Sequence, residues 1–479
     1  MTAAGAQPLA ARLARLVGTE HVLVDPQVVE GYVRDWTGRW RGDCALVVRP
    51  GDETKTAAVL AEVAAHGCRV IVQGGNTGLV AGGVPEAGDV LLSTTRLNRI
   101  GPVDPVSSTV VAEAGVTLAA LQDFLRPHGL ELPVDLAARE SCTVGGMAAT
   151  NAGGIRVLQE GMMRSQVLSV DALAVDGRPL VRMHPLVKDN TGYSLSALLV
   201  GSEGTLGVIT RLLLRVVARP AHRAVVLLGL PGVQAALDVL AAMRVRVPQL
   251  RAAEFVDEAC LRLVLEATGE PDPLPRRHPA HLVLELAGGP GSFDELLTAL
   301  DDAGIADDPE IDLAAADDVG GVRRLWGYRD RITESVGAFG VPHKLDVSVP
   351  AARTAEFVER CGALVRNWPT PDPVTGRTPR PFFFGHLGDG NVHLNILDAD
   401  PRDDALDDAV LTLAAEHDGS ISAEHGIGRA KAHLLPLNRT ADEIGAMLAV
   451  KRALDPDGRL GRAVLPQVRL PVDGSHRPA

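Results

Sequence analysis

Two histidines and a Glu-His pair in the C-terminal quarter of the chain have residue types and spacing that suit a metal site. His386 and His393 lie seven residues apart in GHLGDGNVHLN, and Glu424 and His425 follow in SAEHGIG. Two imidazoles and a carboxylate can hold a divalent ion and leave one coordination position open for a substrate. A lone buried histidine is more often structural than ligating, so the prediction depends on both segments together.

The residues around the two histidines predict how they are positioned. Gly388, Asp389 and Gly390 favour a tight turn. The alternation of HLN places His393 and Asn395 on one face of a following strand. The Glu-His pair lies in a second glycine-bounded turn. A turn followed by a strand and a separate loop are therefore expected to bring the candidate ligands together.

Length and composition indicate a soluble protein of two or three domains. The chain has 479 residues, 46% hydrophobic and 22% charged. The formal charge of −13 argues against nucleic acid or an anionic membrane as a partner, because both need a basic face. An anionic substrate stays open, because a small pocket can be locally positive. The most apolar window, 223–245, is broken by Pro231 and Asp238, so no membrane span is expected.

Cysteine usage and the N-terminal residues favour a cytoplasmic protein. The five cysteines are scattered and form no CxxC pair, so a disulfide framework is not expected and a reducing compartment fits. The N-terminal stretch predicts a short amphipathic helix with Leu9, Leu13, Leu16 and Val17 on one side. A weak organelle-targeting segment is the alternative for this stretch.

A glycine-rich loop over residues 73–83 follows a buried strand in CRVIVQGGNTGLVAGGVP. Its glycines leave backbone N–H groups accessible to phosphate oxygens. It has neither the GK[ST] of a Walker loop nor the GxGxxG of a Rossmann turn, and a long surface turn is the alternative. Before it, residues 52–67 have helical periodicity with Thr54 as a plausible N-cap. After it, small residues are dense from 141 to 154, which admits a large flat ligand close to the backbone.

Three blocks, QGGNTGLVAGG, SCTVGG…TNAGG and GSEGTLGVIT, resemble the FAD-binding domain of the vanillyl-alcohol-oxidase type. From about residue 35 to 466 the chain resembles the 2-hydroxyacid dehydrogenase branch of that family. The resemblance implies an α+β fold with a two-part FAD-binding domain over 1–220. It also implies an α+β cap domain with an antiparallel sheet over 221–385. The last segment, 386–479, would carry the metal site and pack back on the FAD domain.

The resemblance also implies how FAD is held. Members that bind FAD covalently often use a histidine in or near the glycine loop, and none occurs between His66 and His128, so non-covalent FAD is expected. The pair Arg139-Glu140 stands where a small residue is expected, which leaves flavin packing open at that point. The implied cofactor contacts are Gln73, Gly74, Gly75, Asn76, Thr77, Gly78, Ser141, Gly145, Gly146, Asn151, Gly153, Gly154, Ile209 and Asn391.

The residues after Arg219-Pro220 change in composition, which supports the predicted domain boundary. Residues 222–300 alternate β runs with helices, as expected for a second α+β domain. The acidic, alanine-rich stretch 301–318 is expected to be a surface loop.

Arg329, Thr333 and Lys344 are candidates for a carboxylate clamp. Arg329 and Thr333 are four apart and would share one face of a helix, and Lys344 would start the next strand. Taken alone, Arg329 would more often be an ordinary surface arginine. The segment, however, resembles the dicarboxylate-handling helix and strand of the D-2-hydroxyglutarate branch. An arginine grips a carboxylate bidentately, while lysine adds a charge and threonine a hydroxyl donor.

For the candidate metal site the resemblance implies specific roles. His386, His393 and Glu424 would ligate a zinc-like ion, with Mn²⁺, Co²⁺ and Fe²⁺ as alternatives. Asn395 and His425 would face the substrate. The implied reaction is FAD-dependent oxidation of a D-2-hydroxyacid, best D-2-hydroxyglutarate to 2-oxoglutarate. In that reaction the ion binds the substrate and His425 takes the hydroxyl proton as general base.

Three other functions stay open on the sequence. A D-lactate or glycolate dehydrogenase of the same family is the nearest. A metal-dependent hydrolase without redox chemistry and a non-catalytic flavoprotein subunit are the others.

The expected partners are a small 2-hydroxyacid and an electron acceptor, which could be an electron-transfer flavoprotein, a quinone or a cytochrome. A homodimer is among the assemblies that the sequence allows. The C-terminal DPDGRLGRAVLP departs from the family ending at Gly461-Arg462-Ala463, which leaves its contacts open.

Overall fold

The computed structural model describes residues 3–186 and 188–461. In this part of the chain all five cysteines are free, as the sequence predicted. None of the described helices is both long enough and apolar enough to cross a membrane.

The N-terminal part, up to Ala218, holds three sheets. In the first, of order β1-β2-β4-β3, the pairs β2–β4 and β3–β4 are parallel. The second is antiparallel, of order β5-β6-β10-β8-β9, and β7 pairs with β11. The strands are β1 (Val22–Leu23), β2 (Leu46–Val48), β3 (Val70–Gln73), β4 (Val90–Ser93), β5 (Ile100–Asp104), β6 (Thr109–Glu113), β7 (Leu130–Glu131), β8 (Val167–Leu173), β9 (Pro179–Val181), β10 (Val208–Arg215) and β11 (Val217–Ala218).

Eight helices accompany these sheets. The first packs on the third, and its Leu9, Leu13 and Val17 are buried as predicted, whereas Leu16 is exposed. The third helix is capped by the Asp52 side chain, which accepts the Lys55 N–H, so the predicted cap at Thr54 is wrong by two residues. The helices are α1 (Ala3–Val17), α2 (Pro26–Val33), α3 (Glu53–Ala65), α4 (Leu118–Leu125), α5 (Val144–Thr150), α6 (Val157–Glu160), α7 (Met163–Gln166) and α8 (Leu195–Leu199).

The second part is built on one antiparallel sheet of seven strands. Its order is β15-β12-β14-β13-β17-β18-β16. One face packs on α9, α11, α14 and α15, and the other packs on α10, α12 and α13. The elements are β12 (His222–Leu230), α9 (Val233–Arg246), β13 (Leu250–Asp257), α10 (Glu258–Thr268), β14 (Ala280–Gly288), α11 (Ser292–Asp302), β15 (Asp312–Ala316), α12 (Val319–Asp330), α13 (Ile332–Ala338), β16 (His343–Ser348), α14 (Thr354–Arg366), β17 (Arg380–His386), β18 (Asn391–Leu397), α15 (Asp404–Glu416) and α16 (Ala441–Leu454).

This sheet corrects two expectations. The boundary expected at residue 385 falls inside β17, whose neighbours β13 and β18 belong to the same sheet, so the candidate metal ligands on β17 and β18 are part of the cap. The stretch 301–318 is not only a surface loop. Its residues 312–316 form β15, because the backbone of this stretch pairs antiparallel with β12 at the edge of the sheet.

The end of the described chain returns to the N-terminal part. Leu460 lies beside Val70 of β3 in a parallel bridge, and the Gly461 N–H donates to the Val70 carbonyl. Lys451 of α16 donates to the Thr205 carbonyl. The predicted departure at Arg462-Ala463 lies outside the described residues.

Candidate active site

A cavity of about 720 Å³ lies between the glycine-rich loop and the cap sheet. Its wall contains residues 73–83 and the segment around Ser141. The same wall contains His386, His393, Glu424 and His425. One continuous space therefore connects the candidate phosphate loop with the candidate metal ligands.

The glycine-rich loop is held close to the segment 141–143. A Cβ on Gly75 would lie 1.7 Å from the Ser141 carbonyl oxygen, and one on Gly74 would lie 2.4 Å from Thr143 Oγ1. A Cβ on Gly78, in contrast, would have nothing within 4 Å. The first two glycines thus permit close backbone packing, whereas Gly78 borders open space that a cofactor can fill.

The candidate metal ligands converge on one point. His386 Nε2 lies 3.5 Å from Glu424 Oε1 and 3.4 Å from His393 Nε2. All three ligand atoms lie within 4.8 Å of one another. This N,N,O donor set suits a divalent transition metal such as Zn²⁺. A second group of Asp346, His393 and His425 satisfies the same distance criterion.

Asp346 contacts several residues of the ligand cluster. This fully buried carboxylate accepts the backbone N–H of Glu424 at 2.7 Å and of His425 at 3.1 Å. It also lies 3.2 Å from His393 Nδ1 and accepts the Asn391 side-chain amide at 2.7 Å. Because β16 and β18 pair Asp346 with His393, strand register fixes the contact between these two residues.

The loop that carries Glu424 and His425 is also held by the N-terminal part. Glu203 accepts the backbone N–H groups of Ile427 at 3.0 Å and Gly428 at 2.9 Å. The Gly154 N–H donates to Glu424 Oε1 at 2.7 Å. The loop is therefore tied to both halves of the molecule.

Comparisons with known proteins match both halves of this architecture. The model for FAD linked oxidases, C-terminal domain, covers residues 219–464, and an FAD binding domain model covers 44–181. The chain belongs to the FAD-linked oxidase family. It is an FAD-dependent oxidoreductase, and the resemblance to the vanillyl-alcohol-oxidase type is confirmed.

Three curated relatives of this FAD-linked oxidase illustrate the similarity. It is 35% identical to a mitochondrial D-2-hydroxyglutarate dehydrogenase of Bos taurus, over 92% of this chain and 80% of the bovine one. It is 36% identical to a D-2-hydroxyglutarate dehydrogenase of Xanthomonas citri pv. viticola, over 90% and 91%. It is 34% identical to a putative mitochondrial D-lactate dehydrogenase of Schizosaccharomyces pombe, over 91% and 84%.

Solved structures share the fold at low sequence identity. A p-cresol methylhydroxylase structure superposes with a TM-score of 0.73 at 15% identity, over 96% of this chain and 97% of the other. A 4-ethylphenol oxidase from Gulosibacter chungangensis gives 0.72 at 17% identity, over 98% of each chain. These likenesses bear on fold alone, and the predicted α+β class with a cap is confirmed.

Eleven of the fourteen predicted FAD contacts line the cavity of the FAD-linked oxidase, and three do not. Asn151 caps α5 with φ 52°, and its Oδ1 accepts the Arg164 N–H. Gly153 packs on the candidate metal ligand, because a Cβ there would lie 2.4 Å from Glu424 Oε1. Asn391 donates to Asp346 and to the Val347 carbonyl behind the ligands. The eleven in the wall are Gln73, Gly74, Gly75, Asn76, Thr77, Gly78, Ser141, Gly145, Gly146, Gly154 and Ile209.

The predicted clamp residues lie at different depths. Arg329 and Thr333 line the cavity, although they occupy two helices that meet at Arg331 instead of one. Lys344 is the second residue of β16, and its Nζ lies 5.1 Å from the ring centre of Trp36, which lines the cavity. Among the described residues no carboxylate pairs with Lys344, and burial lowers its pKa to about 8.

Asn395 stands opposite Lys344 in the pairing of β18 with β16. Its amide nitrogen is buried and has no hydrogen-bond partner within the described part of the chain. An unpaired buried donor costs free energy unless a ligand or water accepts from it. Asn395 thus has an unpaired donor, but neither Asn395 nor Lys344 is among the residues that line the cavity, so its substrate-facing role stays a prediction.

The charge around the ligands favours a cation. Burial alone would lower the pKa of His386, but the Glu254 and Glu424 carboxylates raise it well above its ordinary value. Burial would raise the pKa of Glu424, but His386 lowers it to about 2. Burial lowers the pKa of His425, and Asp346 offsets part of that effect. His425 is therefore a neutral base at pH 7, beside a site whose field stabilises positive charge.

Sequence reasoning did not assign roles to Glu203, Glu254 and Asp346. Glu254 and Asp346 are single acidic residues inside the apolar strand runs LRAAEFV and HKLDVSV. An acid in the middle of a buried strand is costly unless it is paired, so the pattern itself was a signal. Glu203 lies within GSEGTLG. That block indicated the family, but it did not predict that Glu203 accepts the N–H groups of Ile427 and Gly428.

Proposed function

We propose that this FAD-linked oxidase oxidises a D-2-hydroxyacid, with D-2-hydroxyglutarate converted to 2-oxoglutarate as the best candidate. The observation that carries the proposal is one cavity whose wall holds two different groups of residues. These are the glycine-rich loop and the His386, His393 and Glu424 cluster. The names of the bovine and Xanthomonas relatives agree with this substrate.

The metal ligands and His425 would act on the carbon that carries the hydroxyl. His386, His393 and Glu424 would hold the ion, which when bound supplies positive charge that lowers the pKa of a substrate hydroxyl. His425, whose own pKa is lowered by burial, would accept the hydroxyl proton. Asp346 keeps His425 and Glu424 in place through their backbone N–H groups.

FAD would contact the loop from Gln73 to Gly78 and the segment near Gly145 and Gly146. These residues would bind and orient the cofactor, which when bound accepts the hydride of the hydroxyl-bearing carbon. A separate partner would have to accept the electrons afterwards, and an electron-transfer flavoprotein, a quinone and a cytochrome are the candidates.

The remaining polar residues would hold the far end of the substrate. Arg329 and Thr333 line the cavity, and Lys344 contacts the cavity residue Trp36, with Asn395 opposite Lys344 on β18. Two cations, a hydroxyl and an amide suit a distal carboxylate. A three-carbon acid such as D-lactate offers no such group.

D-lactate or glycolate is the second candidate substrate, favoured by the name of the Schizosaccharomyces relative. The two are separated by assaying D-2-hydroxyglutarate, D-malate, D-lactate and glycolate with an artificial electron acceptor. We expect the highest kcat/KM for D-2-hydroxyglutarate. A preference for D-lactate that Lys344→Ala leaves unchanged would contradict the clamp.

The metal is tested separately from the substrate. Elemental analysis of the purified yellow protein is expected to find one divalent ion per chain. A chelator and Glu424→Gln should each abolish turnover while the flavin absorbance stays. Full turnover in metal-free protein would contradict the proposed ligand set.

A further inference from the structure

Glu254 is a buried carboxylate with no assigned role. It lies in the middle of β13, is fully buried, and pairs in register with His386 of β17. A buried carboxylate is retained at a large desolvation cost unless its oxygens are well paired. Its two oxygens are therefore informative about what this position does.

Each oxygen of Glu254 contacts a different functional residue. Oε1 lies 2.6 Å from His386 Nδ1, and Oε2 accepts from Arg329 Nε at 2.7 Å. His386 is a candidate metal ligand and Arg329 a candidate clamp residue. One side chain thus connects the two ends of the proposed substrate.

The first contact fixes which nitrogen of His386 can bind an ion. When an ion is bound and the ring is neutral, a proton on Nδ1 would be donated to Glu254, which leaves the electron pair of Nε2 for the ion. Nε2 is the atom that faces His393 and Glu424. A carboxylate behind a histidine ligand sets its tautomer and ring orientation in this way.

The second contact fixes the guanidinium of Arg329. Its Nε donates a hydrogen bond to Glu254, and its Cζ lies 5.0 Å from the ring centre of Phe384. Within residues 3–186 and 188–461 its two terminal nitrogens have no hydrogen-bond partner, so they stay available in a residue that lines the cavity. Such a planar group held at one edge can present the opposite edge to a carboxylate.

We infer that Glu254 is a positioning residue that sets the spacing between the metal ligand His386 and the distal clamp at Arg329. The inference rests on the proposed function and adds a basis for selecting the length of the substrate. Since both partners are held by one rigid carboxylate on a central strand, a dicarboxylic acid of one length fits. Acids shorter by one carbon reach only one end.

Glu254→Gln tests this role, because an amide can accept from one partner but presents a donor to the other. We expect zinc affinity, measured by competition with a chromophoric chelator, to fall by about 10- to 100-fold. The ratio of kcat/KM for D-2-hydroxyglutarate to that for D-malate should fall by about tenfold, mainly through KM for the longer acid. Bound flavin should stay, since Glu254 does not line the cavity.

Glu285→Gln is the matched control. Glu285 is an equally buried carboxylate on the neighbouring strand β14, where it pairs with Arg223 and accepts from Trp326 Nε1. It touches neither candidate ligand nor clamp, so zinc affinity and the substrate ratio should match those of the unaltered protein. Equal losses in both variants would show a general structural effect and overturn the inference.

A measurement on the unaltered protein covers the case in which Glu254→Gln does not fold. In the zinc-loaded protein with ¹⁵N-labelled histidine, NMR should find the His386 proton on Nδ1. A proton on Nε2 would overturn the inference, as would unchanged zinc affinity in Glu254→Gln. An unaltered protein that binds no divalent ion would instead contradict the proposed function, and the His386 half of the inference with it.

Discussion

Buried carboxylates, more than the ligands themselves, determine the geometry at the residue scale. Asp346 holds the backbone of Glu424 and His425, while Glu254 holds the imidazole of His386. Each accepts from two or more donors, which makes its burial tolerable. The fold therefore holds the ligand side chains in place before an ion binds.

His425→Ala should remove the proton acceptor and leave the rest of the site in place. His425 lies outside the His386, His393 and Glu424 group, so metal content and flavin absorbance are expected to stay unchanged, and a loss of metal would instead favour the group of Asp346, His393 and His425. Turnover of D-2-hydroxyglutarate should fall by about 10²-fold or more, the usual contribution of a general base. Steady-state kinetics at saturating substrate measure this, and unimpaired kcat would remove His425 from the mechanism.

Lys344 predicts a pH dependence of substrate binding. Burial lowers its pKa to about 8, so the cation is present below pH 8 and is lost as pH rises through that value. KM for D-2-hydroxyglutarate should therefore rise above pH 8, by up to about tenfold per pH unit, whereas KM for D-lactate should not. In Lys344→Arg, which keeps its charge, the rise should disappear. An identical rise in that variant would assign the titration to another group.

At the scale of elements, the glycine-rich loop has two kinds of glycine, and substitution distinguishes them. Gly75→Ala places a methyl group against the Ser141 carbonyl and should destabilise the protein by about 1–3 kcal/mol. Gly78→Ala meets nothing within 4 Å and should change the free energy of unfolding of the apoprotein by less than about 0.5 kcal/mol. It should nonetheless weaken FAD binding, measured by fluorescence titration, if the cofactor fills that space. Unchanged FAD affinity would place the cofactor elsewhere.

Local sequence patterns predicted the presence of helices and strands better than the residues at which they begin and end. The alternation of HLN indicated β18, and Gly388 to Gly390 indicated the turn before it. The cap at Asp52 and the break at Arg331 were missed, because neighbouring residues have similar propensities. Residues 312–316 were missed as a strand, because alanines carry little β propensity and pairing with β12 decides the outcome.

At the scale of the whole molecule, the sequence predicted which segments form the site but not how they meet. The family blocks indicated the glycine-rich loop, and the histidine spacing indicated the ligands. The contact of Glu203 with the loop at Ile427 spans more than two hundred residues, and no local pattern encodes it. The expected boundary at 385 failed for the same reason, since strand order in a sheet is a tertiary property.

A buried ion cluster contributes to the contact between the two halves, and its loss should destabilise the protein. Arg251 of β13 donates to Glu131 of β7, and Arg156 contacts both Glu131 and the cavity residue Asp135. Arg251→Met removes one of the two arginines that contact the Glu131 carboxylate. The holoprotein should lose about 3–5 kcal/mol of stability, because breaking a buried ion pair leaves a buried charge without its partner. Replacing both partners, with Glu131→Leu added, should recover part of the loss. Thermal unfolding followed by flavin fluorescence measures both, with the exposed Arg178→Ala as the control. A midpoint in Arg251→Met equal to that of the control would show that the halves associate without this cluster.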